Sequence, residues 1–131
     1  MKAIAVETTE STQLVDVTEK VQDLARSEGV EVGLCYIFVP HTTAGITLNE
    51  NADPNVRKDL LNALNHIVPE GWHYSHVEGN SPAHIKASLV GHSAVVAIEN
   101  GRLVLGSWQG IFLCEFDGPR RRYLFVRFLK G

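Results

Sequence analysis

Three histidines in this 131-residue chain stand beside other polar residues, where an imidazole can transfer a proton near neutral pH or bind a metal. His41 opens the stretch H-T-T-A-G-I-T-L-N-E-N-A-D-P, and His76 and His84 enclose a polar loop that contains a proline near its end. If the three met in space, they would hold a zinc ion with a fourth position open for water or substrate. The chain has no zinc signature of fixed spacing such as HExxH, so spacing alone is weak support for this hypothesis.

The loop between His76 and His84 also suggests a site for an anion. Its Gly-Asn-Ser run at residues 79–81 precedes Pro82, which predicts the start of a helix. Free N–H groups of the first helical turn would meet a phosphate there, with His84 and Lys86 nearby. Capping of the helix by the serine explains the same residues equally well, so both interpretations stay open.

A basic cluster, Arg120-Arg121-Arg122, follows a D-G-P turn near the C-terminus. Alternation along a strand sends Arg121 to the opposite side from the other two arginines. An arginine turned into a cleft would bind phosphate through two parallel hydrogen bonds. A solvated hairpin end is the alternative interpretation of the run.

The segment that begins at His41 is predicted to be a strand with one polar and one apolar face. If residues 41–49 are extended, the odd positions from His41 to Asn49 point one way and the even positions, which include Ile46 and Leu48, point the other. His41 is then either one wall of a pocket or part of an ordinary half-exposed strand. Asp53-Pro54 predicts the N-cap and first residue of the helix that follows.

The elements that must position these residues come in the order strands, helices, strands, which predicts an α+β fold with a mostly antiparallel or mixed sheet. Strands are predicted at 2–8, 12–16 (pairing with the first), 31–39, 93–98, 109–116 and 121–129. Three helices are predicted, from Asp16 to Gly29, from Asp53 to Pro69 and from Pro82 to Val90. Their inward residues are expected to include Val56, Leu60, Leu61, Leu64, Ile67, Ile85 and Leu89.

Several predicted strands carry apolar residues at both odd and even positions, as strands covered on both faces do. Three helices are expected to cover only one face of the sheet. A partner subunit is the simplest cover for the other face, so the sequence predicts a closed homo-oligomer.

Composition excludes several classes of function. The length fits a single domain over residues 1–131, and the net charge of −3 gives no general attraction for nucleic acid or an anionic membrane. No signal peptide or membrane-length apolar run is present, so we expect a cytoplasmic protein. Cys35 and Cys114 lie in apolar strand-like runs and are expected to be reduced core residues.

Four motifs in this order resemble the YjbQ-like family, also called the secondary thiamine-phosphate synthase family: H-T-T-A-G-I-T-L-N-E-N-A-D-P, A-H-I-K-A-S-L-V-G, G-S-W-Q-G-I-F-L and D-G-P-R-R-R. The resemblance covers nearly the whole chain. It implies a compact α+β subunit that assembles as a homotrimer and binds a phosphorylated small molecule. It also implies a transferase activity that couples a pyrimidine diphosphate to a thiazole phosphate and releases diphosphate. A trimer that binds a phosphorylated metabolite or a metal without catalysis is the alternative.

The resemblance assigns roles to residues by position. Catalytic residues would be His41, His76, His84 and Glu50; substrate would be bound by Asn49, Asn51, Asp53, Asn80, Lys86, Gln109 and Arg120. A divalent metal, zinc or magnesium, is the expected cofactor, with His41, His76 and His84 as ligands. The spacer between His76 and His84 is shorter than the family pattern. The roles of Glu78 and Asn80 therefore do not follow from the pattern as directly as those of the other residues.

Overall fold

The computed structural model describes all residues, 1–131, as three helices and eight strands. The strands are β1 (Lys2–Glu7), β2 (Gln13–Asp16), β3 (Gly33–Phe38), β4 (Ala44–Glu50), β5 (Ser93–Glu99), β6 (Arg102–Leu103), β7 (Gln109–Glu115) and β8 (Arg121–Lys130). The helices are α1 (Thr18–Ser27), α2 (Pro54–Ile67) and α3 (Ser81–Val90). None of the helices combines the length and apolar composition that crossing a bilayer requires.

The strands form two antiparallel sheets, which corrects the prediction of a single sheet. Five strands pair in the order β1-β8-β3-β5-β6, and three pair in the order β2-β7-β4. The segment 12–16 was expected to pair with the first strand, but Leu14 of β2 lies opposite Cys114 of β7. The β5–β6 hairpin turns at Asn100 and Gly101, whose positive φ angles of 52° and 73° suit the Asn-Gly pair.

The main core lies between the two sheets. Alternation along β3 and β8 directs Ile37 and Leu124 inward, and β7 contributes Ile111 and Leu113 from the other sheet. All four side chains are fully buried. Helix α1 packs along one side of this core through Val17, which precedes it, and through two further buried residues, Val21 and Ala25.

A smaller second core explains why β7 is apolar on both faces. Cys114 and Phe116, directed away from the main core, pack against Ala83 and Ala87 of α3. Leu14, Leu61, Leu64 and Val90 complete this cluster. The three-stranded sheet is therefore covered by the large sheet on one face and by α2 and α3 on the other, and no partner subunit is needed there.

The outer face of the five-stranded sheet has no helix on it. Large apolar side chains are exposed on this face, among them Leu34, Val95, Tyr123 and Leu129. The register places Leu34 between Ala97 and Leu129, so these residues form one surface across neighbouring strands. We call this surface the outer sheet face.

The helix ends follow local sequence signals in part. The Asp53 carboxylate accepts a hydrogen bond of 2.9 Å from the Asn55 N–H, which confirms the predicted N-cap of α2. In α3 the N-cap position belongs to Asn80 rather than Ser81, and its side chain makes no capping bond. Gly91 ends α3 with a positive φ of 98°.

Three of the residues expected to pack inward from the helices are exposed instead. They are Ile67, Ile85 and Leu89. Helix α3 instead buries Pro82, Ala83, Lys86 and Ala87. Ala83 and Ala87 pack against Cys114 and Phe116, and Lys86 contacts Asn65 of α2.

Both cysteines are free and buried, as the sequence predicted. Burial raises the pKa of each thiol to about 12, so both are protonated and unreactive at neutral pH.

Candidate functional site

Two of the three predicted histidines lie together. The ring centroids of His76 and His84 are 5.4 Å apart in an edge-on arrangement with an interplanar angle of 82°. His76 is exposed in the loop before α3, and His84 is half-buried on the second turn of that helix. The loop before α3 thus folds back onto the helix it precedes.

His41 is not part of this ring pair, and its hydrogen-bonding role differs from the one predicted. Its Nε2 atom accepts a hydrogen bond of 2.9 Å from the backbone N–H of Tyr123 in β8. This bond uses the lone pair of Nε2 and fixes the neutral tautomer that carries its proton on Nδ1. Burial lowers the pKa of His41, and the positive charge of Arg122 lowers it further. His41 is therefore a neutral hydrogen-bond acceptor here, and neither nitrogen has a free lone pair for a metal.

The predicted three-histidine metal site is not present within one chain. No group of three or more His, Cys, Asp or Glu side chains is arranged to hold a metal ion. The Nε2 lone pair of His41 is used by the Tyr123 N–H, and only His76 and His84 form a close pair of imidazole rings.

A buried ion pair lies behind His41 and was missed by the sequence prediction. The Arg122 guanidinium donates from Nε to both carboxylate oxygens of Glu115, at 2.9 and 3.0 Å, and also from Nη2. Nη2 donates to Thr43 Oγ1 at 2.8 Å as well, and Thr8 donates to Glu115 at 2.7 Å. Burial alone would raise the pKa of Glu115, but the hydrogen bonds from Arg122, Thr8 and a backbone N–H outweigh it and leave the pKa below its usual value.

This ion pair changes the interpretation of the arginine cluster. Arg122 is the arginine turned inward, but Glu115 satisfies it, so it is not a free ligand for phosphate. Arg121 is exposed and pairs with Glu7. The sequence does contain a signal for this ion pair. Glu115 lies inside the apolar run I-F-L-C-E-F, and a buried carboxylate requires a partner.

Arg120 is the arginine that remains half-exposed and close to α3. Its Nη2 donates to Asp117 Oδ2 at 2.9 Å, and its Nε donates to the Asp117 carbonyl at 2.8 Å. The same Oδ2 accepts a bond of 3.0 Å from Asn80 Nδ2, which ties the turn after β7 to the start of α3. Nη1 of Arg120 makes no hydrogen bond in the structure.

The side-chain amide of Asn80 is only partly satisfied by hydrogen bonds. Its Oδ1 is buried and has no hydrogen-bond partner, while its Nδ2 is held by Asp117. A buried acceptor without a partner is costly, and such atoms are rare in folded proteins. We call the group formed by His76, His84, Asn80, Asp117 and Arg120 the histidine site.

The outward-facing polar groups of the histidine site suit an anion. One guanidinium and two imidazoles lie beside the first turn of α3, where free N–H groups give a partial positive charge. Asp117 is the only carboxylate of the group, and its Oδ2 is already bonded to Arg120 and Asn80.

The polar face predicted for residues 41–49 is covered in its middle, although His41 at its start lines a hollow of about 490 Å³ with Pro40, Thr42 and His92. Helix α3 covers the middle of this face: a Cβ atom added at Gly45 would lie 2.6 Å from the carbonyl oxygen of Gly91, so only glycine fits. Thr43 is buried and bonded to Arg122. The apolar face behaves as predicted, since Ala44 and Ile46 enter the main core.

The remaining predicted site residues form a second group at the other end of the three-stranded sheet. They are Asn49, Glu50, Asn51, Asp53 and Gln109, and a hollow of about 310 Å³ beside them is lined by Glu50, Ala52, Asp53, Pro54 and Trp108. The register pairs Ala44 with Glu115 at one end and Glu50 with Gln109 at the other. At about 3.4 Å per residue, the two ends are roughly 20 Å apart, so a single small ligand cannot contact both groups in one chain.

Several polar atoms of this second group stabilise local turns. Glu50 Oε2 accepts a hydrogen bond of 3.1 Å from the Ala52 N–H, and Gln109 Oε1 accepts one of 2.8 Å from the Gly106 N–H. Asn49 Oδ1 accepts one of 2.7 Å from the Glu50 N–H. These bonds account for the residue types without a ligand.

Lys86 is also absent from the histidine site, which corrects its predicted role as a substrate ligand. Two positions along a helix separate side chains by about 200°, so Lys86 lies on the opposite side of α3 from His84. Its side chain is 1% exposed and donates to Asn65 Oδ1 of α2 at 2.5 Å, with Glu70 at 4.0 Å. Burial lowers its pKa, and the Glu70 carboxylate partly opposes this.

Comparison with known proteins identifies a family of chains similar to this one over nearly its whole length. The family model described as "UPF0047 protein YjbQ-like" matches residues 2–131. The UPF0047 protein MJ1081 of Methanocaldococcus jannaschii is 50% identical over 124 residues, which are 95% of this chain and 90% of that protein. The UPF0047 protein YugU of Bacillus subtilis is 46% identical over 132 aligned positions, which cover 98% of each chain.

Solved structures share the complete fold. A crystal structure of a YjbQ/UPF0047 family protein from Clostridium acetobutylicum superposes with a TM-score of 0.96 at 50% identity, covering 98% of this chain and 100% of the other. The conserved hypothetical protein TT1486 of Thermus thermophilus gives 0.93 at 44% identity, with coverage of 98% and 100%. The arrangement of two sheets and three helices is therefore common to this chain and these proteins.

Proposed function

We propose that this chain, which belongs to the UPF0047 YjbQ-like family, binds a phosphorylated small molecule at its histidine site and acts there as a transferase of the thiamine-phosphate synthase type. The reaction would couple a pyrimidine diphosphate to a thiazole phosphate and release diphosphate. The observation that carries the proposal is the close pair of His76 and His84 beside Arg120 and the start of α3.

The chemistry of this reaction needs charge stabilisation more than a nucleophile. Negative charge develops on the diphosphate as it leaves, and fixed donors directed at that charge lower the barrier. Arg120 is held by Asp117 through two of its nitrogens, which leaves Nη1 to donate to a phosphate oxygen. His76 and His84 would donate hydrogen bonds or a proton to the same group.

The second group of polar residues, which includes Glu50, Asn51 and Asp53, would orient substrate or a hydrated magnesium ion at its own position. It lies at the far end of the sheet from the histidine site. Both groups would serve one reaction only if different subunits brought them together.

We further propose that the subunits assemble as a homotrimer through the outer sheet face. Exposed Leu34, Val95, Tyr123 and Leu129 form an apolar surface of the kind that marks a protein interface. The two free, buried cysteines suit the reducing cytoplasm, which is the compartment we propose.

A second candidate function is binding without catalysis. The edge-on pair of His76 and His84 supplies two imidazole ligands for zinc, and the buried Oδ1 of Asn80 lacks a partner. A trimer that held a phosphorylated metabolite or a metal at this position would use the same residues.

Steady-state formation of thiamine phosphate by purified protein separates the two candidates. A His84→Ala variant should lose at least tenfold in kcat/KM, which is about 1.4 kcal/mol of transition-state stabilisation. The matched control is His92→Ala, because His92 lies outside the histidine site and its side chain makes no hydrogen bond. If the wild type turns over substrate and the His84→Ala variant does so equally fast, the assignment of His84 is refuted. Binding of diphosphate without turnover would favour the non-catalytic candidate.

A further inference from the structure

We propose that an apolar hollow beside the histidine site binds the heteroaromatic ring of the ligand whose phosphate group the histidine site takes. The hollow has a volume of about 470 Å³ and is lined by the end of α2, the following loop and α3. Its walls include Ile67, Pro69, Trp72, Tyr74 and Ile85, and we call it the tryptophan hollow. This inference rests on the proposed function, because it names the part of the ligand that the phosphate site does not hold.

The walls of the hollow are large apolar side chains that the fold leaves in water. Trp72 and Ile67 are each 66% exposed, and Ile85 is 39% exposed. Helix periodicity predicted that Ile67 and Ile85 would pack inward, but they border the hollow instead. Covering apolar surface stabilises a complex by about 25 cal/mol per Å², so an apolar occupant is favoured here.

The loop that carries Trp72 is held at both ends. Tyr74 Oη donates a hydrogen bond of 2.5 Å to the Pro69 carbonyl, which closes the loop on itself. The Lys86 ammonium lies 4.0 Å from the Glu70 carboxylate, so α3 is attached to the start of the same loop. Lys86 is thus a positioning residue for the hollow, although it does not reach a ligand.

Size and shape favour a small aromatic occupant over a protein segment. Sites for small molecules commonly measure about 300–1,000 Å³, and this hollow lies within that range. An exposed indole face stacks on flat rings, and stacking on an aromatic side chain strengthens the binding of a nucleic-acid base roughly ten- to hundredfold. The hydroxyl of Tyr74 is already used by Pro69, so the wall offers stacking and apolar contact more than hydrogen bonds.

The hollow is continuous with the histidine site along the chain. Ile85 follows His84 on α3, and Tyr74 stands two residues before His76 in the loop. The proposed ligand would place its ring against Trp72 and its phosphate at the imidazole pair. A pyrimidine or thiazole ring with a phosphorylated side chain has this composition.

Tryptophan fluorescence tests the proposal directly, because the chain has two tryptophans, Trp72 and Trp108. Trp108→Phe leaves Trp72 as the only indole, and Trp72→Phe leaves Trp108 as the matched control. Both proteins would be titrated with a hydroxymethylpyrimidine phosphate, with inorganic phosphate and with the unphosphorylated pyrimidine. We expect the ring phosphate to change the emission of the Trp108→Phe protein. A change confined to the Trp72→Phe protein would place the ring at the hollow beside Glu50 and Asp53 and would overturn the proposal.

Affinities measured by calorimetry complete the test. Trp72→Ala should weaken binding of the ring phosphate on the order of ten- to hundredfold, as the loss of a stacking contact predicts, and leave inorganic phosphate within about twofold. The far-UV circular dichroism of the variant should match that of the wild type.

The outcomes separate the hollow from the proposed function. Equal affinity of wild type and Trp72→Ala for the ring phosphate, with no change in Trp72 emission, would overturn the hollow and leave the phosphate site intact. Failure of wild type to bind either the phosphate compounds or the bare pyrimidine would overturn both. Phosphate-independent binding of the bare pyrimidine at Trp72 would support the hollow even if the phosphate site failed.

Discussion

The buried pair of Glu115 and Arg122 gives the sharpest stability prediction. Both side chains are almost completely removed from water, with exposures of 0% and 3%. Glu115→Gln keeps the size of the side chain and removes its charge, so the guanidinium of Arg122 stays buried without a counter-charge. Breaking a buried pair in this way costs about 3–5 kcal/mol.

The double variant Glu115→Leu/Arg122→Met measures how much of that cost comes from the unpaired charge. Replacing both partners of a buried pair by apolar residues is often neutral or stabilising. The hydroxyl groups of Thr8 and Thr43 lose a partner in the double variant, so we expect it to recover most but not all of the stability. Glu7→Gln is the matched control, because Glu7 is exposed and pairs only with Arg121. That exposed pair should contribute under about 1 kcal/mol.

Urea unfolding at fixed protein concentration supplies the free energies, and repeating it across pH tests the cause. The pKa of Glu115 is lower in the folded protein than in the unfolded chain, so the folded protein holds its carboxyl proton less readily. Its contribution is complete above the pKa of the unfolded chain and is lost as the pH falls through the folded pKa. The decline in acid should be steeper in wild type than in the double variant. A cost below about 1 kcal/mol for Glu115→Gln, or a double variant less stable than the single one, would refute the reasoning.

Three further predictions concern other contacts. Nitrogen-15 NMR should show His41 as the Nδ1–H tautomer at pH 7, and an Nε2–H tautomer would contradict this. Protonation of His41 should begin only below the usual histidine pKa and should destabilise the fold. Lys86→Met should keep affinity for inorganic phosphate within about twofold, whereas a direct ligand would lose on the order of tenfold or more. Leu34→Asp should convert the proposed trimer to monomers in light scattering, whereas Leu89→Asp, at an exposed position of α3 away from the outer sheet face, should not.

Local signals in the sequence predicted the parts of the fold that depend on neighbouring residues. Asp53 and Pro54 fixed the start of α2, because capping involves atoms only two residues apart. The Asn-Gly turn at residue 100 was predictable for the same reason. Gly91 likewise marked the end of α3.

Long-range pairing was not predictable from the same kind of pattern. β2 was expected beside β1 because hairpin neighbours usually pair, but it lies beside β7 and so creates the second sheet. For β7 the apolar run on both faces indicated double coverage correctly, but the cover is the chain itself. Which face of α3 is buried depended on Phe116 and Cys114, residues far along the chain.

The contacts of the candidate site also divide into local ones, which sequence could predict, and long-range ones, which it could not. His76 and His84 are eight positions apart, and their meeting could be predicted from the loop that joins them. The role of His41 depends on the backbone of Tyr123, and that of Arg122 depends on Glu115, contacts that no local pattern reveals. Sequence alone therefore named two histidines that lie together, and grouped with them a histidine and a lysine that make other contacts.

Titration calorimetry with inorganic diphosphate tests the central claim most directly, because it asks only whether the histidine site binds the proposed group. Wild type, His84→Ala, Arg120→Ala and the neighbouring control Arg121→Ala would be compared under one buffer. The account predicts that wild type and Arg121→Ala bind alike and that His84→Ala and Arg120→Ala bind at least tenfold more weakly. Equal affinity of all four proteins, or no binding by wild type, would contradict it.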